Sequence, residues 1–239
     1  MTESKKEDEI PCKVILVGDS GVGKTSIIGR YLNRYSAEQR STIGASYSNK
    51  SEKIDNYQIN FDIWDTAGQE RFRSVNTIFY KEAYICIMVY DITKEESFQS
   101  IKEYWYNIVT ENSLNEIIFG IAGNKIDLYE EEKVNQEEAK NFSDSIGAIF
   151  KTTSAKENTY VDDLFKDLGR KFINSNLFKK IMYENEEEKK SKVNLDQNPK
   201  KKKEKMLLIF QRYKAIKLKL FFYSKMKRKE EMKYENYYL

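Results

Sequence analysis

Lys24 lies in Gly18-Asp19-Ser20-Gly21-Val22-Gly23-Lys24-Thr25, which matches G-x-x-x-x-G-K-[ST]. Gly18 and Gly23 let a backbone curl so that successive N–H groups face the oxygens of a phosphate. In that setting Lys24 is a point charge for β- and γ-phosphates, and the Thr25 hydroxyl suits Mg²⁺. Asp19, Ser20, Gly21, Val22 and Ser26 belong to the same expected cradle. The motif requires a strand before it and a helix after it, with the helix N-terminus aimed at the anion. Without that context the residues are an ordinary Gly-rich turn.

A second group is Trp64-Asp65-Thr66-Ala67-Gly68-Gln69-Glu70. A carboxylate at a strand end can hold Mg²⁺ through water, so Asp65 is a candidate metal residue. Gly68 can bring its N–H to a γ-phosphate, and Gln69 can orient an attacking water. The plain alternative for Asp65 is a helix cap or a surface acid. A third group is Asn124-Lys125-Ile126-Asp127. A carboxylate can accept from both N1–H and the 2-amino group of guanine, a donor pair adenine lacks, so Asp127 would select the base. Asn124 can bond N7 of the base or tie its loop to the Gly-rich turn, and the Lys125 stem can lie on the ring face. In Ser154-Ala155-Lys156, the Ala155 N–H could reach guanine O6.

These groups need elements to hold them at one edge. Val14–Val17, Tyr47–Ile54, Gln58–Trp64, Ala83–Tyr90, Ile117–Ala122 and Ile149–Thr152 read as six strands. Thr25–Leu32, Ser97–Glu111, Gln136–Ser145 and Asp162–Asn174 read as helices. For the third, Asn135 is a plausible N-cap, with Glu138 three residues on. The alternation predicts an α/β fold, a mostly parallel six-stranded sheet with helices on both faces. Ligands then bind in the loops beyond the carboxyl ends of the strands, where every motif falls. Three regions are expected: a flexible 1–11, a domain over 12–176, and a basic tail over 177–239.

Composition narrows the chemistry. The 239 residues contain no histidine, which removes Ser-His-Asp and Cys-His hydrolases and His-ligated zinc sites. Cys12 and Cys86 are the two cysteines and form no CxxC pattern, so a disulfide framework is excluded and a reducing, intracellular setting is expected. The net charge of +3 hides a split. Residues 1–176 hold 22 Lys and Arg against 29 Asp and Glu, and residues 177–239 hold 19 against 9. Such asymmetry points the tail toward an anionic surface. The polar Met1–Glu9 has no apolar stretch of the signal-peptide kind. Arg212, Lys214, Lys217 and Lys219 interrupt Met206–Tyr223, against a membrane span. Glu184–Lys192, Pro199 and Lys200–Lys205 read as disordered.

The ordered motifs GDSGVGKT, STIG, WDTAGQE, NKID and SAK resemble the Ras superfamily of small GTPases over about Cys12 to Asn176, most of all its Rab family. The resemblance implies the P-loop, small G-protein version of the fold. It implies binding of GTP, GDP and Mg²⁺, and hydrolysis of GTP to GDP and phosphate. It makes Thr42 the switch threonine, on Mg²⁺ and the γ-phosphate only in the GTP state. Hydrolysis then releases two loops, about Arg34–Gly44 and Gly68–Ala83. Ile43, Phe72 and Trp64 resemble effector-facing residues, with plain core packing as the alternative.

Against the family pattern, Thr25–Thr42 is one residue short, and Tyr35 takes the place of the aromatic packed on the guanine edge. Gln39 stands for a switch tyrosine, and Ser46 for the usual aspartate. No cysteine follows Cys86, so no prenylation box is present. One option for membrane attachment is then Lys200–Lys229, each basic group contributing about 1 kcal/mol near an anionic leaflet. The plainer readings of this segment are a disordered tail, or a gene end assigned wrongly.

The expected protein is therefore a monomeric Rab-like switch in vesicle traffic, in the cytosol and on the cytoplasmic face of endomembranes. Its expected partners are an exchange factor, an activating protein and effectors, with no nucleic acid. No arginine in the first loop or first switch stands out as a finger in cis, so intrinsic hydrolysis should be slow. The rivals are a constitutively nucleotide-bound scaffold and a metabolic P-loop kinase.

Overall fold

The computed structural model describes residues 9–37, 42, 44–66, 79–114 and 116–196. Gly68, Gln69, Ile43, Phe72, Gln39 and the segment Lys200–Lys229 lie outside the described residues. The strands are β1 (Ile10–Val17), β2 (Ala45–Ile54), β3 (Tyr57–Thr66), β4 (Ile85–Asp91), β5 (Ile118–Asn124) and β6 (Ile149–Thr153). They form one sheet in the order β2-β3-β1-β4-β5-β6. β2 pairs antiparallel with β3, and every other pairing is parallel.

Every residue of β4 and β5 is buried, as a parallel strand covered on both faces requires. The edge strand β2 alternates between half-buried and exposed positions and carries Lys50, Glu52 and Lys53. Charges on an edge discourage pairing with another chain.

The helices are α1 (Lys24–Tyr31), then α2, a continuous run of Glu95–Ser100, a π-helical turn at Ile101–Trp105, and Tyr106–Asn112. α3 (Gln136–Ser145), α4 (Val161–Ile173) and α5 (Asn176–Asp196) follow. α3 starts where the sequence places it. Asn135 Oδ1 accepts from the N–H groups of Glu137 and Glu138 at 2.8 and 3.1 Å, a bond typically worth about 1 kcal/mol. α4 buries Val161, Leu164, Phe165, Leu168 and Phe172, the stripe expected of helical spacing. Phe165 stacks on Tyr31 of α1, with centroids 3.7 Å apart.

The chain divides into two units after Lys180. In the first, Phe178 packs edge-on against Tyr57 and Phe172. In the second, the described part is the remainder of α5, from Ile181 to Asp196. Over Asn176–Asp196 the chain is helical, through the charge run Glu184–Lys192 that reads as disordered. No Gly or Pro occurs from Asn176 to Asn198, and Glu, Lys and Leu are good helix formers. Among the described residues no helix is long and apolar enough to cross a membrane.

Candidate active site

In parallel register, Leu16 pairs with Asp65, Val17 with Met88, Asp91 with Asn124, and Asn124 with Thr153. The carboxyl ends of β1, β3, β4, β5 and β6 therefore meet at one edge. The connection after β1 leads to β2 and β3 on one side, and the connection after β3 crosses to β4 on the other, so a crevice opens beside β1, where α/β sheets bind ligands. A cavity of about 420 Å³ sits there, within the range for small-molecule sites.

Thirteen residues expected from the sequence line this cavity. From the Gly-rich loop, α1 and the segment after it come Ser20, Gly21, Gly23, Lys24, Thr25, Ser26, Tyr35 and Thr42. From the loops after β5 and β6 come Asn124, Lys125, Asp127, Ala155 and Lys156. Thr66 and Leu128 line it as well. Asp19, Val22, Asp65 and Ser154 are not in the lining. Asp19 Oδ1 accepts from the Trp105 indole at 2.9 Å. The Val22 carbonyl accepts from Asn124 Nδ2 at 2.9 Å. Ser154 supports Asp127 from behind.

At one end, Lys24 is buried. Its Nζ donates to the carbonyls of Gly18 and Asp19 at 2.7 and 2.9 Å. Burial lowers its pKa to about 8, against the opposing pull of Asp65 and Asp19. Thr25 Oγ1 donates to Asp65 Oδ2 at 2.6 Å and lies 2.8 Å from Thr42 Oγ1. Thr42 Oγ1 also lies 3.2 Å from Asp65 Oδ2. The structure thus brings together the three expected metal residues. Burial raises the Asp65 pKa, with Thr25, Lys24 and Thr42 opposing. Asp65 Oδ1 is buried and accepts no hydrogen bond within the described structure. A buried carboxylate oxygen with no donor, beside two hydroxyls, fits a hard cation. One carboxylate suits Mg²⁺, which keeps waters and takes phosphate oxygens as further ligands. Among the described residues no group of three or more His, Cys, Asp or Glu could hold a metal.

At the other end, the Asp127 side chain is 6% exposed. Ser154 Oγ donates to its Oδ1 at 2.6 Å, and Lys156 Nζ lies 3.7 Å from its Oδ2. Asn124 ties three loops: its Nδ2 holds the Val22 carbonyl, and its Oδ1 accepts from Thr153 Oγ1 at 3.2 Å and the Ala155 N–H at 3.3 Å. Of the two tasks open to Asn124, its bonds here are those of a loop tie. Lys125 adopts φ 70°, and its Nζ pairs with Asp91 Oδ2 at 2.6 Å. Burial alone would raise the Asp91 pKa, but Lys125 and the Thr93 hydroxyl and N–H outweigh it and hold it low.

Sequence reading missed Arg30, Asp91, Trp105 and Leu128 as parts of this site. Asp91 at the end of an apolar strand carried a weak signal. Trp105 carried none, because its link to Asp19 spans 86 residues. It is fully buried and ends the π turn of α2, a local irregularity frequently found at functional sites. Trp64, an expected effector-facing residue, is half-buried beside Tyr47 and Phe79, with ring centroids 5.3 and 5.1 Å away.

A mostly parallel sheet with a Gly-Lys-Thr loop after its first strand, and a carboxylate ending the strand beside it, defines the P-loop class of nucleotide hydrolases. The Ras family model matches residues 13–174. Human Rab-21 is 43% identical over 162 residues, covering 67% of this chain and 72% of that protein. RabJ of Dictyostelium discoideum is 42% identical over 162 residues, covering 67% of this chain and 63% of that protein. Human Rab-22A is 42% identical over 160 residues, covering 66% and 82%. The chain belongs to the Ras family, in its Rab branch, and is a small GTPase that hydrolyses GTP. Members of this family bind guanine nucleotides and Mg²⁺ and work with exchange factors, activating proteins and effectors. The scaffold reading is not favoured.

Proposed function

We propose that this chain is a GTP/GDP switch in vesicle traffic on the cytoplasmic face of endomembranes, with residues 12–176 as its GTPase domain. One observation supports this above the rest. A single cavity is lined by one set, Lys24, Thr25 and Thr42, whose threonine hydroxyls bond Asp65, and by a second, Asp127, Asn124 and Ala155. The first set suits a Mg²⁺-phosphate group and the second the edge of guanine.

In this reading Ser20–Thr25 cradle the phosphates, and Lys24 exchanges two carbonyls for β/γ-phosphate oxygens. Thr25, Thr42 and, through water, Asp65 hold Mg²⁺. When bound, the ion neutralises charge on the phosphate oxygens. Asp127 accepts from guanine N1–H and the 2-amino group. The Ala155 N–H donates to O6, and the Lys125 stem lies along the ring. The Gly68 N–H meets the γ-phosphate, and Gln69 orients the water that splits GTP into GDP and phosphate. Effectors read Ile43, Trp64 and Phe72, and residues 200–229 contact anionic lipid.

Gln69→Leu keeps GTP binding and slows hydrolysis by about tenfold or more, because water positioning is lost while the cradle is intact. Single-turnover hydrolysis by full-length parent and variant checks this. Equal rates would remove Gln69 from the reaction.

The position of Lys24 sets a pH dependence. Free Lys24 loses its proton above pH about 8, whereas phosphates beside it favour the ammonium. Nucleotide binding therefore takes up a proton above that pH and weakens as pH rises. The uptake per GDP is therefore larger at pH 8.5 than at pH 7. Calorimetry in two buffers of different ionisation enthalpy measures it. Equal uptake at both pH values would contradict the lysine's role.

A further inference from the structure

Arg30 lies on α1, outside the motifs that define the site and outside the residues lining the cavity. Its guanidinium nevertheless reaches two of them. Nε donates to the Ala155 carbonyl and Nη2 to the Lys156 carbonyl, both at 2.7 Å. The fork of donors spans consecutive carbonyls, which a lysine ammonium cannot reproduce. The face of the same group covers the Tyr35 ring, with Cζ 4.1 Å from the centroid, in the range of a cation–π contact. Tyr35, Ala155 and Lys156 all line the cavity. One side chain therefore holds two walls of the base end together, across 125 residues of sequence for the Ala155 contact.

We propose that Arg30 is a positioning residue for the guanine base. By clamping the Tyr35 ring and the Ala155–Lys156 backbone onto α1, it lengthens nucleotide residence while leaving the phosphate chemistry alone. This rests on the reading of the cavity as a guanine-nucleotide site. Bonds to a charged donor are about twice as strong as neutral ones, so their loss should be felt in the dissociation rate. Arg30 forms none of the bonds seen around Lys24, Thr25 and Asp65, so hydrolysis of bound GTP should not follow.

The test is release of a fluorescent GDP analogue from the full-length chain, with single-turnover GTP hydrolysis measured alongside. Arg30→Ala should release GDP about tenfold faster and hydrolyse bound GTP within twofold of the parent. Arg30→Lys should be at least threefold faster, since it keeps the charge but not the fork. Arg30→Ala with Tyr35→Ala should accelerate release by less than the product of the single effects. If Arg30→Ala is not recovered folded, Arg30→Lys carries the same comparison. Release within twofold of the parent, or hydrolysis altered as much as release, would overturn the positioning role. So would single effects that simply multiply. A parent chain that binds no GDP would instead sink the reading of the cavity.

Discussion

Asp127→Asn lowers affinity for GDP by about a hundred- to ten-thousand-fold and shifts preference toward xanthosine diphosphate. The carboxylate offers two acceptors to the two donors of guanine, and each hydrogen bond to a charged group is worth about 1.5–3 kcal/mol. Losing both therefore costs about 3–6 kcal/mol, at about 1.4 kcal/mol per tenfold. The structure adds the direction of the new amide. Ser154 Oγ donates to Asp127 Oδ1 at 2.6 Å while accepting the Glu157 N–H at 3.0 Å. Its hydrogen is therefore committed to an acceptor. In the variant the amide oxygen takes that place, and the amide nitrogen turns to the base. There it opposes the 2-amino group of guanine but can donate to the C2 carbonyl of xanthine. Equilibrium binding of fluorescent GDP and XDP to parent and variant checks both parts. A GDP affinity within tenfold of the parent would mean that Asp127 does not read the base.

Gly18→Ala lowers the melting temperature by about 5–20 °C, at 2–4 °C per kcal/mol for a domain of this size. Gly18 has φ +141°, and a methyl built on it falls 2.2 Å from the Val89 carbonyl oxygen. Val89 is fully buried and paired in β4 with Ala122 of β5. The contact is with sheet backbone, so no side-chain rotation relieves it. Strain at such a φ costs about 1–3 kcal/mol, and overpacking of a close-packed interior adds about 1–3 kcal/mol. Displacement of the loop also takes the Gly18 carbonyl from Lys24, so nucleotide affinity falls with stability. Thermal unfolding with saturating GDP, alongside GDP binding, measures the two together. A melting shift below about 3 °C with unchanged binding would mean that the loop is not built against β4 in this way.

Several elements were legible because their causes are local. α3 runs from Gln136 to Ser145 as its spacing and cap predict, since an Asn side chain bonds N–H groups two and three residues on. Four of the six strands sit where apolar runs place them, and β2 and β3 flank the Asp55-Asn56 turn as read, with ends shifted by a few residues. Other features escaped for equally physical reasons. Ser97–Glu111 reads as one uniform helix, but a π turn at Ile101–Trp105 interrupts the α pattern. That turn leaves the apolar spacing nearly intact, so periodicity cannot reveal it. α5 was hidden because its charge run resembles a disordered segment, although the same residues favour helix.

The sequence by itself determined which candidate groups this chain carries: a Gly-Lys-Thr loop after β1, the Asp65 carboxylate at the end of β3 and the Asp127 carboxylate in the loop after β5. Those properties reside in side-chain type and short spacing, which the chain retains in any fold. Only the tertiary structure decided how they meet. The order β2-β3-β1-β4-β5-β6 sets the strand ends side by side. Packing then joins Asn124 to Val22, Trp105 to Asp19, and Arg30 to Ala155. These contacts span 86 to 125 residues. They depend on parallel register and close packing between distant elements, which no local pattern of residues encodes.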